Sequence, residues 1–212
     1  MDTVRMEAFL DSFHRAHPSW LEKLEEKARI EGIPVIRTAT QDFLVTVLAF
    51  LRPGKVLEVG TAVGFSALLM CEYGPPCMQL TGIEQDPQRI RAARKNIADA
   101  GRSSQITLLE GDADQILPGL EDRFDLIFMD AAKAQYIRWL PDVKRLMHPG
   151  SILVSDNVLQ GGEILESHFL VERRDRTIYR RMRDYLYELT HSPDLRTSIL
   201  PASDGLALSV KL

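Results

Sequence analysis

Two apolar runs in this sequence end in side chains that could hold a metal ion. FDLIFMD (124–130) ends in Asp130, and SILVSDN (151–157) ends in Asp156 and Asn157. Each ending also has an ordinary reading, Asp130 as a helix cap and Asp156-Asn157 as a turn. As neighbouring strands the two runs would lie about 4.8 Å apart. Both carboxylates would then face the crevice where open α/β sheets bind ligands. Two acids and an amide set so close repel one another or stay hydrated unless a cation joins them. Oxygen-only ligation with room for water suits Mg²⁺ better than Zn²⁺, and Mn²⁺ would fit the same donors. Lys133 follows in DAAK, one helical turn from Asp130. Beside a dication and partly desolvated, it is expected to have a lowered pKa and to serve as a general base. A solvated lysine at a helix start is the alternative.

Three more acids end or interrupt apolar runs. Glu58 lies in LEVGTAVGFS (57–66), Glu84 ends QLTGIE (79–84), and Asp112 lies in GDA (111–113). The first of these stretches has glycines at 60 and 64. Ala62 and Phe65 stand where a dinucleotide fingerprint places its second and third glycines. Glu58 would repel a pyrophosphate and suit a cofactor with a positive end. Glu84 is placed to accept from two ribose hydroxyls, and Asp112 could accept from an adenine amino group. An ordinary glycine turn with exposed acids is the alternative for any one of them, but three successive strand ends favour a nucleoside-bearing cofactor. GFSAL (64–68) lacks the second glycine of a hydrolase elbow. The histidines, at 14, 17, 148, 168 and 191, form no H-E-x-x-H or close pair. His148, before Pro149-Gly150, is expected to cap a helix end.

These residues need a scaffold, and the chain supplies a regular one. Residues 2–16, 19–31 and 40–51 have helical periodicity and form an N-terminal helical cap over residues 1–51. Strand patterns at 55–60, 79–84, 106–111, 124–130 and 151–157 then alternate with helical patterns at 64–72, 86–100, 113–120 and 133–146. That rhythm predicts an α/β fold with a mostly parallel sheet and helices on both faces. A long helix at 166–190 follows, then runs at 197–202 and 206–212. Only Ser203-Asp204-Gly205 separates those runs, which predicts an antiparallel C-terminal hairpin. With 212 residues, 45% of them apolar and 26% charged, one domain with its core at 55–212 is expected. No apolar run approaches the ~18 residues of a membrane helix, and the start MDTVRMEAFLDSF is not a signal peptide. Cys71 and Cys77 match no zinc spacing and suit reduced thiols in a cytoplasmic protein.

The cofactor residues resemble those of the class I S-adenosylmethionine-dependent methyltransferases, which have a Rossmann-like sheet. The resemblance implies that Glu58, Gly60 and Ser66 lie around the methionine part. It places Glu84 on the ribose, Asp112 with Ala113 at the adenine, and Asp130 beside the cofactor as well as on the metal. Asp130, Asp156 and Asn157, with SDNVLQGG (155–162) and SDGLALS (203–209), resemble the metal-dependent O-methyltransferase branch. That branch includes catechol and caffeoyl-CoA methyltransferases, and the likeness runs from about Gly32 onward. It implies methyl transfer to an acceptor hydroxyl that the metal orients and acidifies, with Asp130 and Lys133 as catalytic residues. Relatives are commonly homodimers, so a homodimer is expected.

Residues 173–183, RRDRTIYRRMR, hold six arginines against one acid. Their formal charge is +5 in a chain of −4, leaving −9 on the rest. At 100° per residue Arg173, Arg176, Arg180 and Arg183 share a helix face, with Ile178, Met182, Leu186 and Leu189 on another. A basic stripe on an otherwise acidic chain suits a polyanion, though a solvated face or an acidic interface would look the same. The DNVLQGG stretch, the arginine-rich helix and SPDLRTSILPASDGLALS look most like the bacterial tRNA 5-hydroxyuridine methyltransferases. That resemblance implies 5-methoxyuridine formation at the wobble position, with Arg173, Arg174, Arg176 and Arg180 gripping the anticodon arm. A small catechol or an acyl-CoA phenol is the alternative acceptor. A non-catalytic nucleotide- or RNA-binding module is the alternative of another class.

Overall fold

The computed structural model describes residues 3–165, 172 and 176–212. Three helices come first, α1 (Thr3–Asp11), α2 (Ser19–Ile30) and α3 (Thr38–Leu51). Strands and helices then alternate: β1 (Lys55–Val59), α4 (Phe65–Tyr73), β2 (Gln79–Glu84), α5 (Pro87–Asp99), β3 (Ile106–Glu110), α6 (Ala113–Ile116) and β4 (Phe124–Met129). A 3-10 turn at Lys133–Gln135 leads into α7 (Tyr136–Arg145), followed by β5 (Met147–Ser155) and α8 (Arg176–His191). The hairpin β6 (Leu195–Leu200) and β7 (Leu206–Lys211) completes the chain.

The strands form one seven-stranded sheet in the order β3-β2-β1-β4-β5-β7-β6. The first five are parallel, and β7 runs antiparallel to both β5 and β6. This is the expected mostly parallel sheet with an antiparallel hairpin. The central strands are largely buried because helices cover both faces, and Leu126 to Met129 of β4 are apolar throughout. Leu44, Leu68 and Phe128 fill the core on one face, under α2 to α5. Ile127, Tyr136 and Met182 fill the other, under α7 and α8. None of the described helices is long and apolar enough to cross a membrane.

Several boundaries differ from the expectation. The first helix ends at Asp11, not at 16, and Ser12 turns its hydroxyl back onto the Phe9 carbonyl. The pattern at 113–120 splits into a four-residue helix and a 3-10 turn at Leu117–Gly119, because Pro118 cannot donate to a continued ladder. Most of 166–175, the beginning of the expected 166–190 helix, lies outside the described residues, and α8 is seen from Arg176. His148 caps no helix. It lies in β5, which starts four residues early and passes Pro149-Gly150, and its Nε2 meets Asp125 Oδ1 at 2.8 Å.

Candidate active site

The site sits where the sheet changes direction, at the carboxyl ends of β1 and β4. Strands leaving that point in opposite senses open a crevice between their following loops. Here it is a cavity of about 700 Å³. Gly60 makes the tight exit from β1 at φ +98°, and a Cβ there would meet the Asp130 carbonyl oxygen at 2.2 Å. Only glycine can occupy that position, since both the conformation and the close backbone approach exclude a side chain.

On the metal side, β4 and β5 are neighbours, as the reading of Asp130 and Asp156 required. Their register pairs Met129 with Ser155, and the Asp156 amide donates to the Met129 carbonyl at 2.9 Å. Asp130 and Asp156 therefore leave the sheet side by side. Asp156 is only 1% exposed, and its Oδ1 accepts from the Asn157 amide at 2.7 Å. Burial pushes the pKa of Asp156 up, and the neighbouring Asp130 charge adds to the shift. Burial likewise raises the pKa of Asp130, opposed by the Lys133 ammonium. Asn157 takes a left-handed conformation at φ +57°. Its Nδ2 turns to Asp204 Oδ2 at 3.5 Å, so its carbonyl oxygen is the atom left for a ligand.

Among the described residues no three His, Cys, Asp or Glu side chains gather to hold a metal ion. The donor set reaches three only through the Asn157 amide. It nevertheless fits a hard divalent cation. The donors are oxygens, and buried carboxylates that repel each other are relieved by a positive charge between them.

On the cofactor side, Gly60, Ser66, Glu84, Asp112, Ala113 and Asp130 all line the cavity. Glu58 does not. It is 0% exposed, one layer beneath the wall, and neither carboxylate oxygen has a hydrogen-bond partner. Burial drives its pKa up to about 7, and the nearby Ser66 and Thr61 hydroxyls oppose the shift without a well-directed bond. Glu84 accepts from the amides of Ala62, Gln85 and Asp86 at 2.8, 2.9 and 2.9 Å. It thus fixes two loops, and little of its acceptor capacity remains for ribose hydroxyls. Asp112 accepts from the Asp114 amide as the cap of α6.

Three further cavity residues, Arg37, Trp139 and Asp204, and the neighbouring Thr40 were not singled out from the sequence. Arg37 pairs with Asp204 at 2.9 Å. The Thr40 hydroxyl lies 3.1 Å from Ser203 Oγ and 3.5 Å from Asp156 Oδ1. Trp139 lines the cavity, its indole NH bonded to Asp114. Asp204 had a signal in the SDG stretch, and Trp139 had one in its helical spacing from Tyr136. Arg37 and Thr40 reach the site from more than 110 residues away in sequence, and nothing local marks them.

Of the basic stretch, Arg173 and Arg174 lie outside the described residues. Arg176 and Arg180 are exposed on α8. Arg181 donates to the Ala134 carbonyl at 3.2 Å, beside Lys133. Arg183 is exposed too, and its guanidinium bonds the Ile164 carbonyl at 3.3 Å and Tyr179 Oη at 3.0 Å. The buried face of α8 is Tyr179, Met182, Tyr185 and Leu189, so the expected apolar face is shifted toward the two tyrosines.

A parallel sheet reversing at a cavity lined with acids, with an antiparallel hairpin at one edge, defines a Rossmann-like methyltransferase fold. The chain belongs to the O-methyltransferase family, whose profile matches residues 14–212. A catechol O-methyltransferase of Niastella koreensis is 34% identical over 143 residues, 65% of this chain and 65% of its own. The match therefore spans slightly less than two thirds of that relative. A catechol O-methyltransferase of Mycobacterium tuberculosis is 31% identical over 163 residues, 76% of this chain and 74% of its own. A Staphylococcus aureus structure described as a candidate caffeoyl-CoA O-methyltransferase superposes with a TM-score of 0.90 at 28% identity. It covers 97% of this chain and 99% of the other.

Proposed function

We propose that the protein moves the methyl group of S-adenosylmethionine to one hydroxyl of an acceptor bearing two vicinal oxygens. The observation that carries this reading is the pairing of Asp130 with Asp156 at adjoining strand ends, inside the cavity that Gly60, Glu84 and Asp112 also line. Asp130, Asp156 and Asn157 would hold a divalent cation, Mg²⁺ or Mn²⁺, which supplies Lewis acidity and fixes the acceptor oxygens. In its neutral amine form, Lys133 Nζ takes the proton that the attacking hydroxyl loses. Glu84 and Asp112 shape the nucleoside end of the cavity, and Trp139 walls it from water. Removing the cation with EDTA should abolish methyl transfer to a catechol while cofactor binding by calorimetry survives. Mg²⁺ should restore turnover in wild type and fail to do so in Asp156→Ala. Full activity in EDTA would refute the cation's role.

The relatives named for catechol support a small vicinal diol as acceptor. A second reading is supported by exposed Arg176 and Arg180 of α8. It takes 5-hydroxyuridine of a tRNA anticodon arm, whose 4-oxo and 5-hydroxyl oxygens are vicinal too. We also propose a homodimer, supported by exposed Phe9 and Phe13 stacked edge to face on and just beyond α1. Light scattering at the mass of one chain would refute it.

A further inference from the structure

The carboxylates of Asp130 and Asp156 are set side by side, and each residue is tied to the sheet through its amide alone, Asp130 to the Val59 carbonyl at 3.0 Å and Asp156 to the Met129 carbonyl at 2.9 Å. The last backbone bond between their strands is the one from the Asp156 amide to the Met129 carbonyl. Beyond it, repulsion between two buried acids should drive the strand ends apart. We infer that Tyr136 is a positioning residue whose phenol ties the ends of β4 and β5 together and so sets the spacing of the Asp130–Asp156 pair. This inference rests on the divalent-cation reading of that pair.

The hydrogen bonds are specific. Tyr136 Oη accepts from the Ala131 amide at 3.1 Å and donates to the Met129 carbonyl at 3.0 Å. Those are the two neighbours of Asp130 in the chain. The same oxygen lies 3.4 Å from the carbonyl oxygen of Asp156, close enough for its single proton to be shared. One hydroxyl thus brackets the first acid and touches the backbone of the second. The ring itself cannot drift. Tyr136 is fully buried, and Tyr185 packs against it edge to face at 5.4 Å. Tyr185 in turn holds Ser155, the residue before Asp156, through a 2.6 Å bond between hydroxyls. Two tyrosines from α7 and α8 therefore brace both strand ends from below. A ligand pair held this way meets the cation already assembled, and residues one layer behind metal ligands commonly govern affinity by 10–100-fold.

Tyr136→Phe keeps the ring and removes the tie. Titration of the cofactor-free protein with Mn²⁺, followed by electron paramagnetic resonance, should show binding weakened about 10-fold or more. S-Adenosylmethionine affinity without metal should change less than about twofold, and saturating Mn²⁺ should recover part of the lost kcat. A merely structural tyrosine would lower the melting temperature and leave the Mn²⁺ affinity alone, and that result would overturn the inference. Should Tyr136→Phe not fold, Tyr185→Phe decides, with an expected weakening of about threefold, and an unchanged affinity there is equally fatal. Failure of wild type itself to bind Mn²⁺ would instead bring down the cation reading, and this inference with it.

Discussion

Glu58 is costly to keep ionised, since no partner replaces the water it loses on folding. Its folded pKa of about 7 stands above the ordinary 4.5. The native state therefore binds the proton more tightly than the unfolded chain, and the sign of the linkage follows. Stability falls as pH rises from about 4.5 to about 7, and the loss is complete above that window. Glu58→Gln removes the titrating group. In cofactor-free protein the variant should melt higher than wild type at pH 8 and not at pH 4.5, by scanning calorimetry. Equal melting temperatures at pH 8 would show that the carboxylate is not the source of strain. Glu58 was legible as an acid beside a glycine turn, whereas its retreat beneath the wall was not. Whether a side chain at a strand end faces the cavity or the core depends on the layer packed above it, and no local pattern records that. Glu84 shows the same limit: the sequence marked the acid, and only the folded loops reveal that three amides already occupy it.

Among the elements, the β-α rhythm was readable because period-2 and helical apolar patterns alternate with clear breaks, and Asp86-Pro87 even marks the start of α5. The adjacency of β4 and β5 followed from one helical crossover. The joining of α3 to the site did not, since Thr40 meets Ser203 across most of the chain. For α8, amphipathic spacing identified a helix with a basic side, but Arg181 and Arg183 proved to be engaged with Ala134, Ile164 and Tyr179. Arg176 and Arg180, exposed on α8, offer a test of the acceptor. Reversing both to Glu should leave turnover of a catechol within about twofold of wild type. If tRNA is the acceptor, binding of an anticodon stem-loop should weaken sharply, and its salt dependence should drop by about one to two units of slope. A stem-loop that wild type does not bind, with efficient catechol turnover, would decide for the small acceptor.

At the scale of the whole molecule, the strand that arrives last is not an edge. β7 inserts between β5 and β6, pairing Ser155 with Ala207 on one side and Leu200 with Leu206 on the other. Ending the chain at Gly205 should strip β6 of its partner strand and leave an apolar edge on β5. Such a truncation is expected to aggregate, and recovery of a soluble chain that binds cofactor would refute the expectation. The same insertion orders events during synthesis. While β7 is still inside the ribosome, β1 to β5 can assemble, but the side carrying Asp156, Asn157 and Asp204 lacks the strand that pairs with β5 through Ser155 and Ala207. The end of the cavity proposed for the methyl donor could thus take shape before the end proposed for the acceptor is supported.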